Sequence, residues 1–419
     1  MEPYLVSLSD TTTMIARLSL PACLVAISIV SCSRPTGILE TSTQHVATAD
    51  PSPWPSGPET VSPTPTATST LTRSPAQTRG IILFGGVRPQ DEVPGLWIFG
   101  LDATCLAQPT ECPEAWMGLV TPQNAGPGHN RSYDWSPDGT RITFISDRDA
   151  AEFGDFSLFV MQSDGSAQTN ILDPDSASVE SPRWSPTDDW IAYQVVDDWP
   201  TLDGPSHLGL IRPDGSDPRT LPDAMLSNGQ PAWSPDGKKV AFLGNEHDGE
   251  GPALVVMDLD TGAFNTLGDG IQAIHATYPP DWSSDGALIL FAGQISGIED
   301  IFVVDVRSGD ATNLTQDSAS DRNPLWSPDD SLVAYASVRA GTLDLIILEF
   351  ATGLARVVES TAQREGFPSW SPDGSYLVYQ VADGKAGDSY LKATSLDGAV
   401  SARLTDEDVI VLAYPSWSP

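Results

Sequence analysis

Short apolar runs recur through residues 80–419, and turn residues bound each run. In one representative stretch, Val240–Leu243 is followed by Leu254–Met257, with Ser-Pro-Asp-Gly before the first run and Asp-Thr-Gly after the second. Runs of this length that alternate or are rich in β-branched residues are typical of strands, whereas helical periodicity is absent. The pattern therefore predicts an all-β protein built from short antiparallel strands.

A tryptophan followed by serine marks each repeat of this pattern. Successive copies are 49, 49, 49, 44, 44 and 47 residues apart, and proline follows the serine in every copy except at Ser284. Ser-Pro-Asp-Gly suits a type I turn, because proline presets φ and glycine accepts the exit geometry. Four strands per repeat of this length are typical of a propeller blade. The repeated tryptophans are Trp135, Trp184, Trp233, Trp282, Trp326, Trp370 and Trp417.

The two ends of the repeat region complement each other. Residues 80–120 contain three predicted strands without an opening strand, and Tyr414–Pro419 matches the opening strand of a further repeat. Pairing the two would complete a blade and remove exposed sheet edges. We therefore predict a seven-bladed β-propeller of four-stranded blades, closed by pairing a C-terminal strand with the N-terminal blade. An open solenoid is the alternative.

The Trp-Ser-Pro-Asp-Gly turn and the Ile/Val-x-Phe/Tyr strand after it resemble the repeat of TolB-type, Trp-Asp-repeat-like propellers. Propeller domains of prolyl-oligopeptidase-like peptidases carry a similar repeat. The resemblance covers residues 80–419 and implies a propeller that binds proteins or peptides. Asp188-Asp189 and Asp329-Asp330 replace Asp-Gly in two turns. TolB proper has an additional N-terminal α/β domain, for which residues 33–78 offer no counterpart, so the docking role of TolB itself does not transfer.

The N-terminal region has the features of an export signal. Arg17 precedes the apolar run Leu18–Val30, and residues 1–31 are predicted to be a signal peptide. The segment Ile29–Cys32 resembles a bacterial lipobox, which implies lipidation of Cys32; a plain secretory signal is the alternative. Residues 32–79, rich in Ser, Thr and Pro, predict a disordered tether. We expect an exported cell-envelope lipoprotein, on the periplasmic or extracellular face.

Two further cysteines lie close together. Six residues separate Cys105 from Cys112, and Pro109 is among them. A disulfide between the two cysteines would close a short loop and fits an oxidising compartment. Two free thiols are the alternative.

Charge and motifs narrow the function classes. The chain has 56 acidic and 21 basic residues and a formal charge of −35, which repels nucleic acid and anionic headgroups. No Gly-x-Ser-x-Gly nucleophile elbow occurs. We predict no catalytic residue, no metal and no cofactor. Because two histidines precede opening strands, a metal-dependent, lyase-like enzyme acting on glycans is the alternative.

The loops that precede the opening strands differ from repeat to repeat, as a binding face on a repeated frame requires. Several arginines occur there in a chain that has few, which favours an anionic or carboxylate-bearing ligand near the axis. We predict a monomeric, non-enzymatic extracytoplasmic module that binds a protein or peptide. The candidate ligand-binding residues are His129, Arg131, Arg183, Gln230, His275, Tyr278, Arg322 and Arg364.

Overall fold

The computed structural model describes a large part of residues 80–419. All of it belongs to the second of two compact units, Thr72–Pro419. The predicted signal peptide, tether, Cys32, the Cys105–Cys112 pair and His275 lie outside the described residues. The described residues are 80–88, 94–101, 116–119, 121, 129–150, 155–173, 177–197, 206–221, 225–227, 230–246, 252–273, 278–295, 297–359, 363–382, 389–405, 409–412 and 414–419.

All regular elements in these ranges are strands, so the prediction of an all-β protein is confirmed. Within the same ranges, no helix is long and apolar enough to cross a membrane. The strands form antiparallel meanders, and we name each meander after its repeated tryptophan.

The strands follow the repeat. The first three are β1 (Gly80–Val87), β2 (Gly95–Leu101) and β3 (Trp116–Leu119). The Trp135 meander contains β4 (Asn130–Trp135), β5 (Arg141–Ser146), β6 (Ser157–Gln162) and β7 (Thr169–Leu172). The Trp184 meander contains β8 (Ala177–Trp184), β9 (Ile191–Asp197), β10 (Ser206–Ile211) and β11 (Arg219–Thr220).

In the next two meanders the opening strand is broken into two short pieces. The Trp233 meander contains β12 (Met225–Ser227), β13 (Ala232–Trp233), β14 (Lys239–Glu246), β15 (Pro252–Asp258) and β16 (Phe264–Leu267). The Trp282 meander contains β17 (Gln272–Ala273), β18 (Asp281–Trp282), β19 (Leu288–Ile295), β20 (Ile298–Asp305) and β21 (Ala311–Asn313).

The C-terminal part completes the series. The Trp326 meander contains β22 (Ser320–Trp326), β23 (Leu332–Arg339), β24 (Thr342–Glu349) and β25 (Leu354–Glu359). The Trp370 meander contains β26 (Arg364–Trp370), β27 (Tyr376–Ala382), β28 (Ser389–Ser395) and β29 (Ser401–Arg403), and β30 (Ile410–Val411) and β31 (Ser416–Trp417) follow. One parallel bridge, Leu343 to Arg364, joins the Trp326 and Trp370 meanders into an eight-stranded sheet.

The C-terminal strands pair with the N-terminal ones. β1 lies between β2 and the pieces β30 and β31, with Gly86 opposite Val411 and Ile82 opposite Trp417. The fit around Gly80 is close, since a Cβ there would lie 2.1 Å from Cζ3 of Trp417. We call β1, β2, β3, β30 and β31 together the Trp417 meander.

Hydrophobic cores lie between consecutive meanders, and each of them contains one repeated tryptophan. Trp370, for example, packs with Ile347 of the Trp326 meander and Tyr379 of its own. β1 contributes to two cores, with Phe84 facing the Trp370 meander and Leu83 facing the Trp135 meander. Alternate side chains of a strand point to opposite faces, so one strand serves both cores.

The segment after each tryptophan builds a turn. The Ser234 hydroxyl donates to Asp236 Oδ1 at 2.7 Å and accepts from the N–H of Lys239 at 2.9 Å. Gly237 follows with φ at 68°, a conformation that favours glycine. Hydrogen bonding to Ser234 lowers the pKa of Asp236. The repeated serine and aspartate therefore have a structural role in this turn.

Two departures from the repeat compensate each other. Asp330 occupies a glycine position with φ at 59°, and its carboxylate accepts the N–H and the hydroxyl of Ser284 in the preceding turn. A proline at position 284 would have no N–H to donate. The replacement of proline by Ser284 in one turn is therefore coupled to the replacement of glycine by Asp330 in the next, because these two residues bond to each other.

In the turn after Trp184, the departure from the repeat lies one residue earlier than the sequence analysis placed it. Asp188, with φ at 63°, takes the glycine position, and its N–H bonds the carbonyl of Ser185 as the N–H of Gly237 bonds Ser234. The alignment of Asp188-Asp189 with Asp-Gly was therefore wrong by one residue. The Asp188 carboxylate accepts both from Arg141 of the preceding meander, at 2.7 and 2.8 Å, and from Nε1 of Trp184.

Candidate functional site

Each opening strand is interrupted around the third residue before its tryptophan. In four meanders a β-bulge lies there, and the residue in that position has a positive φ: Ser132, Ser181, Asn323 and Phe367. In the other three the strand is broken, between β12 and β13, β17 and β18, and β30 and β31. Such interruptions redirect side chains and are frequent beside functional sites.

Aromatic side chains from these segments meet. The ring of Phe367 lies 5.8 Å from that of Tyr278 and 4.5 Å from that of Tyr414. Tyr278 belongs to the Trp282 meander and Phe367 to the Trp370 meander, so their contact bypasses the whole Trp326 meander. The segments before Trp282, Trp370 and Trp417 therefore converge on one place, as expected near the axis of a propeller.

Arg183 reaches the same place from the Trp184 meander. Burial raises the pKa of Tyr414 to about 12, nearby Tyr278 adds to this rise, and the charge of Arg183 opposes it. Arg183 Nη2 donates to Gln230 Oε1 at 2.7 Å, and Nη1 points to the carbonyl of Tyr133 at 3.5 Å. We call Arg183, Tyr278, Phe367 and Tyr414 the axial cluster.

Two other predicted arginines are held by acidic residues. Arg131 forms an ion pair with Glu180 of the next meander, and its guanidinium lies 3.9 Å from the ring centroid of Phe156. Arg322 donates to Glu299 at 2.7 Å. Burial raises the pKa of Glu180, while the charge of Arg131 opposes that rise. These arginines have their charge balanced locally.

Of the remaining predicted residues, His129 and Arg364 lie within the described ranges, and His275 lies outside them. Two contacts join His129 to Asp147: its N–H donates to Oδ1 at 2.5 Å, and Nδ1 lies 3.2 Å from Oδ2. Arg364 is exposed at the start of β26. Among the described residues, no group of three or more His, Cys, Asp or Glu side chains could hold a metal ion.

The residue directly before each tryptophan links neighbouring meanders. The carbonyl of Arg183 accepts Nε1 of Trp233 at 3.0 Å, and the carbonyl of Ala232 accepts Nε1 of Trp282 at 3.1 Å. Where this residue is aspartate the link differs: Asp134 accepts the backbone N–H of Trp184, and Asp281 that of Trp326, each at 2.7 Å.

Burial raises the pKa of Asp281 to about 7, and the nearby Asp330 carboxylate adds to the rise. Burial also raises the pKa of Asp134, against the charge of Arg183. Sequence reasoning missed Tyr414 and both aspartates as members of these arrangements. Counting backward from each repeated tryptophan, rather than forward into the turn, would have found them.

The sequence profile of the TolB β-propeller domain matches residues 140–419. The chain belongs to this family. It is 28% identical to the uncharacterized protein Atu1656 of Agrobacterium fabrum over 160 residues, which cover 37% of this chain and 51% of that protein. It is 29% identical to the uncharacterized peptidase YuxL of Bacillus subtilis over an alignment of 153 residues, which covers 28% of this chain and 22% of YuxL. The chain thus spans about half the length of one relative and about a fifth of the other.

A similar fold occurs in an oligogalacturonate lyase solved in complex with manganese. The two structures share 15% sequence identity and a TM-score of 0.56, over 79% of this chain and 86% of the lyase. At this identity the likeness concerns the fold alone. TolB-like propeller architecture is thus established for the chain, and its ligand is a separate question.

Proposed function

We propose that the chain is a non-enzymatic binding module of the cell envelope, whose axial cluster recognises a protein or peptide. The observation that carries this proposal is the convergence of dissimilar side chains on a repeated frame. Arg183, Tyr278, Phe367 and Tyr414 come from four different meanders, yet they meet in one place. Aromatic and arginine side chains are also the residue types that contribute most to protein recognition.

The proposed architecture is a closed ring of seven four-stranded blades. Its main support is the Trp417 meander, which combines strands from both ends of the described region. Pro419 also lies against Gly139 in the way that Pro235 lies against Gly286 and Pro328 against Gly374. The C-terminal turn thus relates to the turn of the Trp135 meander as the Trp233 and Trp326 turns relate to those that follow them. Closure would keep the axial side chains in fixed relative positions.

The proposed location follows from the N-terminal sequence. A signal peptide that ends in a lipobox-like segment, with lipidation at Cys32 and a tether of Ser, Thr and Pro, would hold the propeller away from a membrane. One acyl chain binds a membrane weakly, so stable anchoring requires more than one chain. The proposed location is consistent with a propeller of the TolB family.

Site-directed photo-crosslinking in cell envelopes tests the binding proposal. A photoreactive residue at Asn323, which has a positive φ in the opening strand of its meander, samples the axial side. The matched control is Arg356 on β25, an exposed residue of a strand at the outer edge of its meander. We expect one defined protein or peptide adduct from position 323 and none from position 356. Adducts from position 356 alone, or from neither position, would contradict an axial binding face.

A further inference from the structure

The axial cluster contains an arginine whose charge is not balanced by an ion pair. Arg183 makes its hydrogen bonds to neutral oxygens, those of the Gln230 amide and of the Tyr133 and Pro182 carbonyls. Ion pairs in the described ranges join Arg131, Arg141, Arg212, Arg219, Arg322 and Arg339 to carboxylates, and Arg183 takes part in none.

The nearby carboxyl group of Asp134 is engaged elsewhere. It accepts the N–H of Trp184 at 2.7 Å, and none of the ion pairs in the described ranges joins it to Arg183. The Nη1 contacts of Arg183, at 3.4 and 3.5 Å, are longer than the usual 2.7–3.2 Å of a hydrogen bond. Arg183 therefore retains donors for a stronger acceptor.

The side chains opposite Arg183 are aromatic. Tyr133 joins Arg183 to Tyr414, because its carbonyl lies 3.5 Å from Nη1 of Arg183 and its hydroxyl donates to the carbonyl of Tyr414. The ring of Tyr414 contacts Phe367, which in turn contacts Tyr278. Within the described part of the chain, the Tyr414 hydroxyl has no hydrogen-bond partner. Charge-assisted donors beside half-buried aromatic rings match a ligand that is anionic at one end and apolar at the other.

We propose that Arg183 binds the carboxylate of a ligand whose adjoining aromatic or apolar group packs on Phe367 and Tyr414. This inference rests on the proposed binding function and names the ligand chemistry of the same site. Guanidinium donors match a carboxylate in two parallel hydrogen bonds. One arginine in the axial cluster of a strongly acidic protein suits a monoanion better than a polyanion, which the overall charge repels.

The same chemistry has two sources, a free C-terminus and an acidic side chain beside an aromatic residue. Three peptides distinguish them: acetyl-Gly-Phe with a free carboxylate, the same peptide amidated, and acetyl-Glu-Phe-amide. Titration calorimetry of the full-length mature protein should detect binding of the free acid and a loss of at least about tenfold on amidation, as expected for a charge-assisted contact. Equal or tighter binding of the Glu peptide would assign the carboxylate to a side chain and would still support the inference.

Substitutions test the residue assignment. We expect Arg183→Gln to weaken binding of the free acid at least about tenfold and Arg183→Lys to restore part of that loss. The control Arg356→Gln, at an exposed position on β25, should leave binding unchanged. A matching unfolding temperature for both glutamine variants excludes misfolding. Tyr414→Phe, which preserves the ring, should weaken binding of the free acid more than binding of its amide. The inference is overturned if none of the three peptides binds, if the free acid and its amide bind equally and the Glu peptide binds no more tightly than the amide, or if the two glutamine variants behave alike. The crosslink from position 323 is independent of these results, so the two proposals can fail separately.

Discussion

Aspartates on the two sides of one tryptophan behave in opposite ways. Asp281, directly before Trp282, is half-buried and accepts a backbone N–H of the next meander, and burial raises its pKa to about 7. Asp285, three residues after the same tryptophan, is exposed, and hydrogen bonds from Ala287 and Ser283 lower its pKa. Asp134 and Asp138 differ in the same way around Trp135.

The difference reflects two kinds of segment in one repeat. Residues after the tryptophan form hydrogen bonds with one another within a local turn, so the same residue types recur in meander after meander. Residues before it contact other meanders, and each has different neighbours. The repeated half therefore specifies the frame, and the varied half forms the axial cluster and the links between meanders.

The largest expected effect concerns the tryptophan that separates the halves. Trp370→Ala should lower the free energy of unfolding by about 3–5 kcal/mol, because it leaves a cavity in a core shared by two meanders. Urea unfolding followed by fluorescence would measure it. Phe367→Ala, three residues earlier and only partly buried, should cost less than half as much. Similar losses in both variants would contradict the division into a frame and an axial face.

The next prediction concerns the contribution of Asp281 to the pH dependence of the free energy of unfolding. Its folded-state pKa of about 7 lies above the value of about 3.9 for an unfolded aspartate. The folded protein thus binds this proton more tightly, and the contribution of Asp281 to stability falls as pH rises from about 4 to about 7. The full fall is on the order of a few kcal/mol. Asp281→Asn should remove it, as measured by urea unfolding at a series of pH values.

Asp285→Asn is the matched control for this pH series. The lowered pKa of Asp285 gives the opposite sign: its contribution is present above about pH 4 and is lost as pH falls through its folded-state pKa. Histidines and other carboxylates are common to all three proteins, so they cancel in the differences. If Asp281→Asn keeps the wild-type slope between pH 4 and 7, the buried-carboxylate interpretation is wrong.

The smallest effect tests the compensated turns. Ser284→Pro and Asp330→Gly should each lose the bonds between the two residues, so restoring the repeat at both positions should cost less than the sum of the single changes. We expect a coupling of about 0.5–1 kcal/mol from chemical unfolding of the four proteins in the cycle. Pairing Ser284→Pro with Asp188→Gly, which does not contact it, should instead be additive.

Much of the fold could be predicted from residue order. Each Trp-Ser-Pro-Asp-Gly segment is a local structure, stabilised by bonds within about five residues, and short alternating runs are sufficient to indicate strands. The all-β prediction and the family resemblance are accordingly confirmed. The register of one departure was missed by a residue, although counting from Trp184 places Thr187 at the aspartate position and Asp188 at the glycine position.

The axial cluster depended on tertiary structure. The contact between Phe367 and Tyr278 joins residues 89 positions apart, and no local pattern relates them. The sequence identified arginines as candidates, but only the folded arrangement separates Arg131 and Arg322, which form ion pairs with acidic residues, from Arg183, whose hydrogen bonds go to neutral oxygens. Turns form from neighbours in the chain and can be predicted from it. Charge balance and aromatic contacts arise between distant segments, so the three-dimensional structure is required to find them.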